Sequence, residues 1–211
     1  RDEFHRRAAE PVRRWPQGFI AGRDLEGGGT WLGVCADGRF AALTNFRDPQ
    51  EVVVDARSRG ELVVDYLAGD VAAGDYAAEV HRRVGSYRSF NLLLGNARTL
   101  WYVGSRAGAP RELQAGVYTL SNHLLDRDWP KARRLRERLQ AALAQVEPEA
   151  SLWPALADRN RSADAALPDT GIGLAWERAL SAAFIVAPGY GTRCSSVLAL
   201  APRRGRFSER S

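Results

Sequence analysis

Residues 30–45 read TWLGVCADGRFAALTN and carry the strongest local structure signal of the chain. Two apolar runs are joined by Asp37 and Gly38, and an Asp-Gly pair tolerates the positive φ angles that tight hairpin turns require. We therefore predict two antiparallel strands that turn at these two residues. Neither run alternates cleanly between apolar and polar side chains, which indicates a sheet covered on both faces.

The segments that follow this hairpin predict further helices and strands. Residues 61–68 and 76–84 have the apolar spacing of short helices, with glycines between them. Residues 90–94, 100–103 and 117–121 are short apolar runs between turn residues, so we predict three more strands there.

The clearest helix signal begins near Pro130, a residue that suits a first helical turn, and Asp128 is placed to cap it. One apolar stripe follows, made of Leu135, Leu139, Ala142, Leu143 and Val146. Beyond it we predict helices at 152–157 and 176–184, a loop at 158–170 and a final buried strand at 194–201. Strands flanked by helices without an internal repeat indicate an α/β or α+β domain.

The composition is that of an ordinary globular protein. The chain has 211 residues, 45% hydrophobic and 26% charged, unlike disordered, collagen-like or disulfide-stapled chains. Cys35 and Cys194 are few and far apart, so we expect a reducing, cytoplasmic setting, and we expect Cys194 to be a buried, inert thiol. No apolar run approaches the roughly 20 residues that span a bilayer, so we expect no membrane span.

The charge pattern does not favour nucleic acid as a partner. The net charge is +5, and Lys131 is the single lysine among 30 basic residues. Acidic residues are interleaved with the arginines, and neither zinc-finger spacing nor a basic heptad array occurs. We interpret the arginine excess as coding bias and expect no nucleic-acid binding.

Glycines 27–29 precede the first strand of the hairpin. Glycine-rich backbone can approach a ligand closely or bind an anion. Phosphate-binding loops, however, follow a strand and open a helix, whereas this one opens a strand. We therefore predict a tight loop at the rim of a site and exclude a nucleotide-binding loop.

Three asparagines, Asn45, Asn91 and Asn122, lie at or near the ends of predicted strands. An amide in such a position can stabilise an oxyanion, although each one taken singly is better explained as an ordinary turn or capping residue. Arg193 precedes the last predicted strand, where an inward-pointing charge needs a partner. Asp2 or a bound carboxylate would serve.

Several motifs together resemble the NRDE family, also called the Transport and Golgi organisation 2 family. They are RDEF at 1–4, AGRDL at 21–25, WLGV at 31–34, FAALTNFR at 40–47, LSNHLLD at 120–126, LPDTG at 167–171 and YGTR at 190–193. The resemblance covers nearly the whole chain and implies a single domain over residues 1–211.

The resemblance also implies that the sequence begins inside the Asn-Arg-Asp-Glu motif for which the family is named. The chain contains no Met, so Arg1 is not an initiating residue. Family members carry a further strand before this point, beginning Met-Cys, and they extend past Ser211. We therefore expect a domain that is truncated at both ends.

Members of this family are similar to N-terminal-nucleophile (Ntn) hydrolases such as choloylglycine hydrolases and penicillin V acylases. The resemblance implies an α+β fold, specifically a four-layer αββα sandwich. In those enzymes a Cys exposed by removal of Met attacks an amide, and its own α-amino group is the base. The asparagines would donate to the oxyanion, and the other residues would orient the nucleophile. The matching positions are Arg1, Asp2, Asn45, Asn122 and Arg193.

The resemblance leaves two functions open. The full-length protein would be a cysteine amidohydrolase or acyltransferase on an amide or thioester, inactive without its N-terminal Cys. Alternatively, it would be a non-catalytic carrier of haem or an acyl lipid, because eukaryotic members are linked to haem trafficking and acyl-CoA homeostasis. A carrier's apolar site would be lined by Trp15, Trp31, Trp101, Tyr102 and Trp129, with His5, His81 or His123 as a haem ligand.

Overall fold

A seven-stranded antiparallel sheet is formed by the first half of the chain, in sequence order. The computed structural model describes residues 8–202 and 204–211. Within them each strand of this sheet pairs with the next one along the chain. The strands are β1 (Ala9–Arg14), β2 (Phe19–Asp24), β3 (Leu32–Cys35), β4 (Phe40–Asn45), β5 (Phe90–Gly95), β6 (Leu100–Gly104) and β7 (Arg111–Glu112).

The predicted hairpin is confirmed as β3 and β4. Gly33 pairs with Ala41, and the turn contains Gly38 at φ +87°, the conformation that favours glycine. The Asp37 carboxylate accepts a hydrogen bond from the Arg39 backbone N–H at 2.9 Å, which fixes the turn. Apart from the buried Ala41, the side chains of β4 are half-buried, so the second face of the sheet is covered only in part.

Two helices, α1 (Glu61–Ala68) and α2 (Ala73–Arg82), pack on the first face of the sheet. The main core lies between them and the strands, and its fully buried members include Phe19, Leu62, Leu92 and Leu94. The predicted helix at 61–68 is confirmed. Its close approach depends on glycine, because a Cβ at Gly33 would lie 2.6 Å from Leu67 Cδ1.

The predicted start of α2 at residue 76 is wrong by three residues. Gly74 lies inside the helix, where a Cβ would come within 2.8 Å of the Trp101 ring. This glycine therefore allows the helix to pack closely on β6 and does not interrupt the helix. The helix also ends at Arg82, before the predicted residue 84.

The second half of the chain contains three helices and two small sheets. The helices are α3 (Pro130–Leu143), α4 (Pro148–Leu156) and α5 (Leu174–Leu180). The strands are β8 (Val186–Ala187), β9 (Tyr190–Gly191), β10 (Ser195–Ala201) and β11 (Arg204–Arg210). Helix α4 contacts both α3 and β10, so these elements form a second group beside the large sheet.

Several predicted boundaries in this half are corrected. Pro130 does begin α3, but the helix is capped by Trp129 without a side-chain hydrogen bond, and Asp128 instead pairs with Arg133 at 3.4 Å. The predicted helix at 176–184 ends at residue 180, and that at 152–157 begins at 148. The loop at 158–170 is confirmed and contains a 3₁₀ turn at Asp164–Ala166.

Two of the predicted strands need a stronger correction. Residues 117–121 form no strand, because local and side-chain groups bond their backbone: Thr119 N donates to the Asp126 carboxylate, Thr119 O accepts from the Asp126 backbone N–H, and Ser121 O accepts from the Thr44 hydroxyl. The strand predicted at 194–201 exists as β10, but it is half-buried and is followed by β11.

The arrangement is an α+β fold, as the resemblance implies, with a large antiparallel sheet and segregated helices. Over residues 8–202 and 204–211, no helix is both long enough and apolar enough to cross a bilayer.

Candidate ligand-binding site

A cleft of about 840 Å³ opens where β4 ends. It is walled by residues 30–32 and 43–45 of the large sheet and its loops, by residues 53–60 and 118–122, by α3 and by the start of β10. Small-molecule sites have volumes of about 300–1,000 Å³, so this cleft has the size of a ligand site.

Two of the predicted site residues, Asn45 and Asn122, meet in this cleft. The Asn122 side-chain N–H donates to the carbonyl oxygen of Asn45 at 3.0 Å. The Arg47 backbone N–H in turn donates to the Asn122 carbonyl oxygen at 2.8 Å. A primary amide has two N–H donors, so the two asparagines form a polar corner of the cleft with donor and acceptor groups.

Asn91, the third asparagine, is a structural residue. Its amide is fully buried, donates to the Thr44 hydroxyl at 3.3 Å and to the His123 carbonyl at 2.9 Å, and accepts from the Tyr102 hydroxyl at 2.8 Å. It therefore ties β4, β5 and β6 to the segment that carries Asn122, and so sets the spacing of the polar corner.

The other predicted site residues are placed differently. Arg193 is half-buried and lies two residues before Ser195, which lines the cleft, but Arg193 itself does not line it. Arg1 and Asp2 lie outside the described residues. The structure thus brings Asn45 and Asn122 together, with Arg193 close to the cleft along the chain.

The aromatic and histidine candidates are mostly elsewhere. Trp31 lines the cleft, with its ring packed over Gly22 of β2, where a Cβ would lie 2.7 Å from the ring. Trp15 and Tyr102 are buried, and Trp129 and the half-buried Trp101 do not line the cleft. His81 is exposed on α2, and His5 lies outside the described residues.

His123 is packed between two aromatic rings, at 4.9 Å from Phe46 and 5.8 Å from Trp129. Its Nδ1 accepts the Leu124 backbone N–H at 2.8 Å. Desolvation, reinforced by nearby arginines, lowers the pKa of His123 from its ordinary value of 6.5. The ring is therefore held in its neutral form at the edge of the polar corner.

More cationic than anionic side chains line the cleft, and two of the cations are paired with carboxylates outside the lining. Arg57 is paired with Glu61 at 2.7 Å and Arg136 with Asp126 at 2.7 Å. Arg88 is exposed, and over the described ranges no hydrogen bond or ion pair joins its side chain to another residue. Such an excess concentrates anions. The lining cations are Arg57, Arg59, Arg88, Lys131 and Arg136, against the two carboxylates of Asp24 and Asp55.

The contribution of α3 to this cleft is not evident from the sequence alone. Leu135 and Leu139, expected in a core stripe, line the cleft, while Leu143 and Val146 of the same stripe are 58% and 99% exposed. Lys131 also lines the cleft. In the sequence, Lys131 stands out because it is the single lysine, and it lies one helical turn before Leu135.

Comparison with known proteins agrees with the motifs quoted above. A sequence model of the family described as Transport and Golgi organisation 2 matches residues 1–211. The Transport and Golgi organization protein 2 homolog of Homo sapiens is 34% identical over 232 residues, covering 100% of this chain and 84% of that protein. Similar relatives are found in Mus musculus, 32% identical over 233 residues, and in Bos taurus, 34% identical over 235 residues, each with the same coverage. Because these matches extend over the whole chain, it belongs to the Transport and Golgi organisation 2 family.

Proposed function

We propose that this protein binds an anionic small molecule with an apolar tail or ring, such as an acyl compound or haem, in the cleft beside β4. The observation that carries the proposal is that one cavity of about 840 Å³ combines an excess of cationic side chains with a wall of leucines. A ligand with a charged head and an apolar body matches both surfaces at once.

The apolar wall supplies the affinity in this proposal. Leu135 and Leu139 from α3 and Leu156 from α4 line the cleft and are each half-buried. Covering them with an acyl chain or a flat ring removes apolar surface from water, and each square ångström contributes about 25 cal/mol. Trp31 extends this wall toward the large sheet.

The cysteines favour binding over catalysis by the described residues. Neither thiol lines the cleft. Cys35 donates a hydrogen bond to the Leu67 carbonyl, and burial raises the pKa of its thiol, while Cys194 is only 3% exposed. A thiol nucleophile has to be a thiolate that its substrate can reach, and neither residue meets this requirement.

Ntn chemistry in the full-length protein is the second candidate, and the pairing of Asn45 with Asn122 favours it. Both residues line the cleft, and the Asn122 amide has a second N–H besides the one that it donates to the Asn45 carbonyl, so it can bind the oxygen of a tetrahedral intermediate. In this proposal the large sheet and the β10–β11 sheet are the inner layers of a single four-layer domain in the cytoplasm. Arg1, Asp2 and Arg193 would orient the family's N-terminal Cys.

A fluorescent fatty acid tests the binding proposal. We expect dansylated undecanoic acid, whose fluorophore is at the tail end, to bind saturably, with a blue-shifted emission. Leu135→Asp places a charge in the apolar wall and should weaken binding about tenfold. Leu143→Asp is the matched control, since it changes an exposed leucine of the same helix and should leave binding unchanged. Equal affinities of the two variants, or no binding by the wild type, would contradict the proposal.

Two further assays separate the ligand classes and the two functions. A haem titration read by Soret absorbance asks whether a porphyrin binds better than it does to a generic hydrophobic protein. Turnover of acyl amides and thioesters by full-length protein, compared with a variant whose N-terminal Cys is replaced by Ala, tests Ntn chemistry. No turnover, or turnover that survives this replacement, would reject the enzyme.

A further inference from the structure

Arg136 lies in the middle of α3 and lines the cleft. Ala132 is four residues before it and Leu139 three residues after it, so all three lie on one face of the helix. Ala132 and Leu139 line the cleft as well. The cation is therefore set between two apolar residues of the cleft wall.

The guanidinium of Arg136 is held against the wall formed by residues 118–122. Its Nη2 donates to the Thr119 hydroxyl at 3.0 Å and to the Asp126 carboxylate at 2.7 Å. Thr119 itself lines the cleft. The Asp126 carboxylate is fixed in turn, because it also accepts the Thr119 backbone N–H at 2.8 Å. The charged end of Arg136 is thus placed at the cleft wall before any ligand binds.

These bonds use only part of the hydrogen-bonding capacity of Arg136. A guanidinium has five N–H groups, and both of its bonds are made by Nη2. Among the residues that the structure describes, no hydrogen bond is made by Nη1, and Nε is buried without a partner. Donors without acceptors are rare in native proteins and call for an acceptor from a ligand, an ion or water.

The cleft has a polar side and an apolar side. Asn122 lies on the 118–122 wall and has one amide N–H beyond the bond described above. The helices α3 and α4 supply Leu135, Leu139 and Leu156. A bound molecule therefore meets hydrogen-bond donors along the 118–122 wall and apolar surface along the helices.

Resting on the proposed function, we propose that Arg136 binds the carboxylate of the ligand and that the apolar body of the ligand lies along the leucines of α3 and α4. Nη1 donates to a carboxylate oxygen while Nη2 keeps Thr119 and Asp126, and such charge-assisted bonds are stronger than neutral ones. Asp126 attracts the same cation and so moderates its affinity for the ligand. The head group then lies beside the segment that carries Asn122.

A pair of probes that differ only in head-group charge tests this inference. Dansylated undecanoic acid and its methyl ester have the same tail, and the wild type should bind the acid about tenfold more tightly. Arg136→Met should abolish this preference and leave affinity for the ester unchanged. Arg138→Met is the matched control, because it removes an exposed cation of the same helix outside the cleft lining and should keep the preference.

The partner carboxylate provides a test of opposite sign. Asp126→Asn removes the competing charge but keeps an acceptor for the Thr119 N–H, and Asn tolerates the φ of +60° at this position. It should raise the preference for the acid about threefold. Adding Arg136→Met to this variant should abolish the preference, and the loss would then not come from an unpaired Asp126 carboxylate.

A purely structural role of Arg136 predicts a different pattern. The inference is overturned if the wild type binds acid and ester equally, if Arg136→Met weakens both equally, if Asp126→Asn lowers the preference, or if Arg138→Met abolishes it. Haem and its dimethyl ester form a second pair, and the pair whose preference depends on Arg136 tells a porphyrin carboxylate from an acyl carboxylate. If the wild type binds neither pair, the proposed function itself fails.

Discussion

The ring of His123 is packed against Phe46 and Trp129 and accepts a backbone hydrogen bond from Leu124. These contacts suit a neutral imidazole, because the packed ring loses the water that stabilises its charged form. Arg47 and Arg127 add electrostatic repulsion, and together these effects lower the pKa of His123. The folded state therefore binds a proton here less readily than the unfolded chain does.

This difference makes stability depend on pH. The contribution of His123 is fully present above the unfolded pKa of about 6.5 and is lost as the pH falls toward the lower folded pKa. We expect the free energy of unfolding, measured by urea denaturation, to fall as the pH is lowered from about 7.5 to about 5.5. The fall should be smaller in His123→Asn, which keeps an acceptor for the Leu124 N–H but does not titrate. Identical pH profiles would contradict the prediction.

Single residues were predictable where local pattern decides their role, and not otherwise. Asn45 and Asn122 end or follow predicted strands, which is enough to suggest a site. Asn91 has the same local pattern, but its amide is hydrogen-bonded to Thr44, His123 and Tyr102. Thr44 and His123 are far away in the sequence, so the local pattern does not reveal these bonds. Lys131 lines the cleft and is nevertheless buried, and burial of a cation is the opposite of what its residue type indicates.

At the scale of elements, an ion pair connects the end of β4 to α5. Arg47 and Glu177 are 12% and 4% exposed, and their charged atoms are 3.0 Å apart. Glu177 also accepts the Thr170 backbone N–H at 2.8 Å and the Thr170 hydroxyl. Both partners are therefore desolvated, and the carboxylate is fully engaged.

Removing one partner of this pair should be costly. Glu177→Ala removes the nearly buried carboxylate that pairs with the Arg47 guanidinium, and breaking a buried pair in this way costs about 3–5 kcal/mol. We expect the urea midpoint to fall accordingly. Asp128→Ala removes a carboxylate from the exposed Arg133 pair and should cost less than about 1 kcal/mol. If the two variants lose similar amounts of unfolding free energy, the Arg47 pair is not the link between β4 and α5.

Elements were predictable where neighbours in sequence are also neighbours in space. The hairpin of β3 and β4 and the helix α1 need only their own residues and were predicted with close to their observed bounds. Residues 117–121 have the composition of a strand, but their backbone bonds the side chains of Thr44 and Asp126, which no local pattern reveals. Gly74 lies in the stretch that local pattern predicts to separate two helices, whereas its packing partner, Trp101, lies on another element and makes it part of α2.

At the scale of the whole molecule, the two strand groups differ in how well they are buried. The large sheet contains fully buried side chains such as Phe19, Leu92 and Leu94. The residues of β10 are half-buried or exposed throughout. Regions with fewer buried apolar contacts open at lower free energy than the core, so we expect the β10–β11 group to open first.

The two cysteines report on the two groups separately, since Cys35 ends β3 and Cys194 precedes β10. In single-cysteine variants, we expect Cys194 to be labelled by iodoacetamide at lower urea concentration than Cys35, although Cys194 is the more buried thiol in the native state. Each variant provides the control for the other. Labelling of both thiols at one common urea concentration would show that the molecule opens as a single unit.

The α+β class and the family were predictable because the motifs are spread along the chain and need no knowledge of packing. The cleft was not, because it is enclosed by segments as distant as Trp31, Leu135 and Ser195. A cavity is the space that packed elements leave between them, and no stretch of sequence encodes it locally. The sequence alone does not show which of the many arginines line one cleft, because folding brings them together from distant segments.

The buried amide of Asn91 makes the polar corner depend on strand alignment. Asn91 is paired with Thr44, and Asn45 with Phe90. Sliding β4 by one residue along β5 would put an apolar side chain opposite Thr44, because Phe90 and Leu92 flank Asn91. The hydrogen bonds that gather Asn45, Asn122 and His123 would all be lost together. A one-residue slip also turns every side chain of β4 to the opposite face of the sheet, so misaligned folding would disturb the core together with the polar corner. Ligand binding is therefore a stringent assay of correct folding.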